Sequence, residues 1–317
     1  MYHRVAELAN DPYLLAVTPE HFAEHMEVVR KFYFPIGLEQ LAQALRGGKI
    51  PKRAVVVTFD DGYADNLYNA RPILERYEIP AMVFVTTGHI GNPSEFWWDE
   101  LDRLLLQPGT LPVVCELPLN GRTLHCQLDE AAAYTTADYE RHRAWHIERE
   151  DDPTPRHRLH RLLYQLLHSL TQKDQRKLLD NLRAWASAGP TGRPTHRTLL
   201  PDELSQLADG RLIEIGAHTV THPLLGKLPL AAQRDELRQS RTRIEELLDH
   251  QVISFAYPHG SYTQETLAVV QEAGFSIACS SDTDVIRKGS DTLRLPRMSM
   301  RNWDGTSFAR WLSAWIG

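Results

Sequence analysis

The chain is short of what several protein classes require. It has three cysteines in 317 residues (Cys115, Cys126 and Cys279), too few and too odd a number for a disulfide framework, so a reducing compartment is expected. No apolar run approaches the roughly 20 residues of a membrane helix, so no integral membrane segment is expected. Met1-Tyr2-His3-Arg4-Val5-Ala6-Glu7 lacks the apolar stretch of a signal peptide, which makes a cytoplasmic location the expectation. An excess of positive charge is also missing. Lys+Arg number 35 against 41 Asp+Glu, for a net charge of −6, and no basic face advertises a nucleic-acid or anionic-membrane partner. What remains is globular: 42% hydrophobic, 24% charged and 9% aromatic. The length suits two domains, or one α/β barrel with an insertion. Fifteen histidines direct attention to metal and proton chemistry.

Hydrophobic patterning alternates strands and helices at both ends of the chain. Thr18-Pro19-Glu20 is a helix start with Thr18 as N-cap and Pro19 at the first helical position. Leu38 to Leu45 forms a second helix stopped by Gly47-Gly48. Ala54-Val55-Val56-Val57-Thr58-Phe59 and Ala81-Met82-Val83-Phe84-Val85 are continuous apolar runs, the mark of strands buried on both faces in a parallel sheet. After residue 200, strands over Leu212–Ala217, Val252–Ala256 and Phe275–Cys279 alternate with helices over 202–208, 229–249 and 263–273, and Leu293–Met300 reads as extended. Residues 96–200 carry few strand signals, and Arg156–Ser187 reads as one or two amphipathic helices. The expected organisation is one α/β barrel in two parts, 1–95 and 201–317, interrupted by a helical insertion at 96–200.

Three motifs follow predicted strands. Thr58-Phe59-Asp60-Asp61-Gly62 places adjacent carboxylates where a strand leaves a parallel sheet, which is the ligand-binding edge; a plain Asp-Gly turn is the competing reading. His218-Thr219-Val220-Thr221-His222-Pro223 carries two histidines four apart, a spacing that serves a divalent metal. Asp, His and His form a three-ligand set with open positions, suited to catalytic zinc and equally to Fe(II). Phe255-Ala256-Tyr257-Pro258-His259-Gly260 sets a tight loop whose backbone N–H groups could face the same place.

Together these motifs resemble the polysaccharide deacetylases of carbohydrate esterase family 4. The resemblance covers roughly residues 1–95 and 200–300. It implies a distorted (β/α)7-type barrel and metal-dependent removal of N-acetyl groups from amino sugars, on a polysaccharide, glycolipid or glycan precursor. By motif, Asp61, His218 and His222 would hold one divalent metal, most simply Zn2+, and Asp60 would be the general base. His259, through its backbone N–H, and Tyr257 would serve the oxyanion or substrate. The family's usual third motif opens with an Arg where this chain has Ala256, and its usual C-terminal Leu-x-His is here Leu293-Arg294-Leu295, without His. One branch, resembling biofilm exopolysaccharide deacetylases, takes its acid from an N-terminal Tyr-His strand. Tyr2-His3-Arg4-Val5 matches it, which makes His3 the acid, and Arg297 then replaces the missing Arg beside Asp60.

Two other outcomes stay open at this level: a carbohydrate-binding pseudoenzyme that keeps the metal site, and an amino-sugar deformylase. His142 and His146 sit among charges and read as a solvent face, as do His157, His160 and His168. Trp97-Trp98 reads as core packing rather than a sugar platform. The insertion is expected to shape the cleft.

Overall fold

The computed structural model describes residues 1–119, 121–210 and 212–316. It divides into two compact units. Met1–Leu8, Leu15–Asn92 and Thr198–Gly317 make up the first, and Ala9–Leu14 with Pro93–Arg197 the second.

The first unit is built on a curled five-stranded sheet, ordered Ile277–Cys279, Ser254–Ala256, Ile213–Ala217, Ala81–Val85, Val57–Phe59. Every neighbouring pair is parallel. The continuous apolar runs exist because both faces are covered. Val57, Phe59, Val83, Val85, Ile215 and Phe255 join one core. Met82, Phe84, Ala256, Ile277 and Cys279 join another, with Leu38 and Leu41 of the helix Leu38–Gly47. On that second face residue 216 must be glycine, since a Cβ there would lie 2.5 Å from the Phe84 ring. Irregular bridges extend the curl at each edge, Tyr2 to Phe59 and Cys279 to Leu295. The sequence reading expects an α/β barrel of distorted (β/α)7 type, and the structure shows that mixed α/β class with its parallel sheet curled into a half-barrel.

Local chemistry sets the ends of the first two helices. The Thr18 hydroxyl accepts from the His21 N–H at the start of Pro19–Phe32, and Gly48, at φ 68°, ends Leu38–Gly47. Two boundaries differ from the sequence reading. The run 54–59 breaks into Ala54–Val55 and Val57–Phe59, because the first piece pairs with Phe34–Pro35 and the second with Ala81–Val85. The segment 293–300 makes the single bridge at Leu295 and no strand.

The second unit has its own core, made by Leu101, Leu104, Leu159, Leu163, Leu178 and Leu182 from the helices Trp97–Leu105, Pro155–Ser169 and Gln172–Trp185. It also holds an antiparallel hairpin, Val114–Leu119 with Arg122–Gln127, which the sequence reading did not anticipate. Burial alternates along its first strand: Cys115 and Leu117 point inward, while Val114, Glu116 and Pro118 are exposed. Arg156 is buried and donates to the carbonyls of Leu105, Gln107, Gly109, Ala131 and Ala132. His157 and His160 are also buried, at 2% and 0% exposure, which corrects their reading as surface residues. Ring contacts with Trp145 and a 2.7 Å bond from His160 Nε2 to the Tyr13 hydroxyl account for this. Trp98 is buried against Phe96, as core packing requires.

Candidate active site

Asp60-Asp61-Gly62 follows the strand Val57–Phe59, and His218 follows the strand Ile213–Ala217. These strands do not pair with each other. Ala81–Val85 lies between them and pairs with both, so the two motifs emerge at the same edge on either side of one strand. The backbone there is forced. Asp61, Thr219, His222 and His259 all have positive φ, between 55° and 74°, a conformation that costs non-glycine residues energy and concentrates at functional sites. Gly62 is also left-handed at φ 75°, and a Cβ on it would meet Val85 at 2.8 Å.

One ligand atom from each of Asp61, His218 and His222 lies within 4.8 Å of the others, and all three residues are buried. Asp61 Oδ1 stands 3.6 Å from His218 Nε2 and 3.3 Å from His222 Nε2, and it has no hydrogen-bond donor among the described residues. The His218 Nδ1–H donates to the Ala256 carbonyl at 2.8 Å, which leaves Nε2 with its lone pair toward the cluster. Burial pushes His218 down to about 4, so the ring is neutral at pH 7. A buried carboxylate oxygen without a donor beside two imidazole nitrogens is a donor set that fits a divalent cation.

Asp60 faces a different partner. Burial alone would raise its carboxyl. The Arg297 guanidinium, His218 and His3 together outweigh burial and hold Asp60 well below the usual carboxylate range. Two bonds join the pair, Nη1 to Oδ1 at 2.7 Å and Nη2 to Oδ2 at 2.8 Å. Arg297 Nε is fixed in turn by the Ser280 carbonyl at 2.9 Å.

The N-terminal segment reaches the same edge. Tyr2 N–H donates to the Thr58 carbonyl, and Asp60 N–H donates to the Tyr2 carbonyl. The next residue, His3, has its carbonyl held by Asn66 Nδ2 at 3.0 Å. Burial lowers the His3 pKa, and the charges of Asp61 and Asp60 oppose that shift. The His259 ring meets the His222 ring edge-on at 4.5 Å. Tyr257 does not fit the role assigned to it. Its hydroxyl donates to the Leu293 carbonyl and its N–H to the Cys279 carbonyl, leaving no hydrogen-bond donor to offer an oxyanion.

Sequence reasoning missed Glu236. From the helix Leu230–Leu248 its carboxylate takes the N–H of Val220 (2.8 Å), the N–H of Thr221 (3.0 Å) and the Thr221 hydroxyl (2.7 Å). It thereby pins the turn between the two histidines from outside. An acid on a mixed-charge helix carries no local signal that it does this.

A family model described as polysaccharide deacetylase matches residues 47–109 and 163–278. The poly-beta-1,6-N-acetyl-D-glucosamine N-deacetylase of Escherichia coli K12 is 32% identical over 96 residues, which is 30% of this chain and 14% of that protein. The enzyme of the same name from Staphylococcus aureus MSSA476 is 44% identical over 57 residues, 18% of this chain and 20% of that protein. The chain thus spans a small part of these relatives. Among solved structures, the Streptococcus pyogenes deacetylase PplD in complex with acetate superposes with a TM-score of 0.59 at 17% identity, covering 98% of this chain and 95% of that one. IcaB from Ammonifex degensii gives 0.60 at 17% identity, with 98% and 94% covered. At such identities the superpositions establish the fold.

Proposed function

The chain belongs to the polysaccharide deacetylase family, and on that premise we propose that it is a zinc-dependent hydrolase that removes N-acetyl groups from a glucosamine-containing polymer. The observation that carries this reading is the convergence of Asp61, His218 and His222 beside an Asp60 held ionised by Arg297. Poly-β-1,6-linked N-acetylglucosamine is the substrate of choice, because both curated relatives bear its name.

Asp61, His218 and His222 would hold the cation, which supplies Lewis acidity that activates water toward a pKa of about 7 and polarises a carbonyl. Asp60, held in its ionised form by Arg297, accepts the proton of water as its oxygen bonds to the acetyl carbon. Arg297 keeps both Asp60 oxygens aimed and returns no proton. His259, beside His222, is the neighbour for the acetyl oxygen as it gains charge; removing one such donor typically costs about 3–4 kcal/mol. His3 delivers a proton to the sugar nitrogen as the C–N bond breaks, releasing acetate and a free amine.

The test is amine release from β-1,6-linked N-acetylglucosamine oligomers by metal-stripped protein, with and without added zinc. Release restored by zinc and abolished in Asp60→Asn supports the reading. Stoichiometric zinc binding without turnover on acetylated or formylated amino sugars overturns it in favour of a binding protein. Release of formate but not acetate makes the chain a deformylase.

A further inference from the structure

The net charge of −6 hides a local reversal. Between residues 30 and 53 stand six cations, Arg30, Lys31, Arg46, Lys49, Lys52 and Arg53, against one acid, Glu39. Arg30 is paired with Glu78. Lys31, Arg46, Lys49, Lys52 and Arg53 are exposed and have no carboxylate partner among the described residues. Many exposed arginines elsewhere do have one, Arg143, Arg149, Arg243, Arg287 and Arg294 among them. Two phenylalanines share this stretch, Phe32 at 51% and Phe34 at 54% exposure. They flank Tyr33, which is half-buried and extended at the end of the helix Pro19–Phe32. Lys31 Nζ lies 5.4 Å from the Phe32 ring centre, and the Phe34 N–H donates to the Arg53 carbonyl. Lys31 and Arg53 thus adjoin the two rings, and Lys52 and Lys49 follow along the same loop.

That surface lies at the start of the strands. Phe34 pairs with Ala54, and the same run of chain reaches Asp60 six residues later, roughly 20 Å away at the usual strand rise. A partner on it would leave the opposite edge, with Asp61, His218 and His222, uncovered.

We propose that this face docks on an anionic lipid bilayer. Unneutralised cations supply the long-range attraction to acidic headgroups. Phenylalanine brings an apolar ring with no hydrogen-bonding group, which belongs at the headgroup–acyl boundary. Nucleic acid would satisfy the cations equally but would give the two exposed rings no apolar layer to enter. Docked this way, the protein turns its Asp–His–His edge away from the bilayer.

The experiment is flotation of the whole chain with phosphatidylcholine vesicles, with and without phosphatidylglycerol. The result expected is binding to the anionic vesicles alone, weakened by salt. It falls by about fivefold for each cation lost in Lys49→Glu/Lys52→Glu/Arg53→Glu, and falls again in Phe32→Ser/Phe34→Ser. A charge-matched control, Lys173→Glu/Arg176→Glu/Lys177→Glu, keeps full binding. Circular dichroism establishes that each variant is folded, and all the substituted side chains are exposed. No binding, equal binding to neutral vesicles, or equal loss in the control overturns the proposal. Tighter binding to a duplex DNA fragment than to anionic vesicles overturns it in favour of a nucleic-acid surface.

Discussion

Arg297 and Asp60, 237 positions apart in the chain, meet in a buried ion pair made of two hydrogen bonds, at 2.7 and 2.8 Å. The family pattern brings the corresponding arginine from a strand end where this chain has Ala256. Here it comes from the irregular segment beyond the last strand, and the Ser280 carbonyl steers it. A guanidinium presents two parallel donors to a carboxylate; an ammonium cannot.

Arg297→Lys should therefore keep the fold but lower kcat, by roughly 100-fold for a lost orienting contact. Arg297→Met should go further. With its counter-charge gone, burial raises the Asp60 pKa, so the acid limb of the pH–rate profile moves to higher pH. Thermal melts of the Met variant should show a loss of about 3–5 kcal/mol, the cost of stranding a buried charge. An unmoved acid limb would contradict the assignment of Asp60 as base.

Glu236 should govern metal affinity without touching the metal. Glu236→Ala releases two N–H groups and a hydroxyl from the turn between His218 and His222, and zinc affinity should fall about 10- to 100-fold. Glu236→Gln keeps an accepting oxygen for both N–H groups and should recover most of it. Competition titration with a chelating dye reads this directly. Equal loss in the two variants would point to a general packing defect instead.

Glu214 gives a pH signature. It sits in the strand Ile213–Ala217, where burial, with Glu39 adding, pushes its carboxyl from the ordinary 4.5 up to about 7. As pH rises past 4.5 the unfolded chain releases this proton while the folded chain keeps it. Stability is therefore lost progressively between about 4.5 and 7 and is level above. Glu214→Gln removes that loss, so its advantage over the wild type should grow across this window, to on the order of 1–2 kcal/mol at pH 8. Denaturant melts at pH 5 and pH 8 test it, and a constant difference would disprove it.

Arg156 should be the most sensitive single side chain of the second unit. Arg156→Met leaves the carbonyls of Ala131, Ala132 and Gly109 without this donor, at a cost of about 3 kcal/mol or more. Hydrogen exchange should show lost protection around those residues. A neutral result would mean that water replaces the guanidinium.

Much of this was legible in the sequence because it rests on local chemistry. Continuous β-branched runs mark strands covered on both faces, and a carboxylate pair or a His-x-x-x-His after such a run marks the ligand edge. What was illegible depends on distant partners. Tyr257 lies in a motif loop, yet its hydroxyl is taken by Leu293 and its N–H by Cys279. His160 lies among arginines, yet it is buried because Tyr13 and Trp145 surround it. Glu236 is one acid in a charged helix until the turn it grips is seen in space. The hairpin at 114–127 was missed because Pro118 and an exposed Val114 blur its alternation.

The strand Ala81–Val85 has a further consequence. Val57 and Ile213 are both registered against Ala81, and Ala217 against Val85. The spacing between the aspartate and the histidines is thus measured from a common datum, as two marks on one ruler, and not from the length of chain that joins them. Residues 93–197 can be lengthened, trimmed or replaced in evolution, and the three ligand atoms will still meet wherever those two ladders re-form.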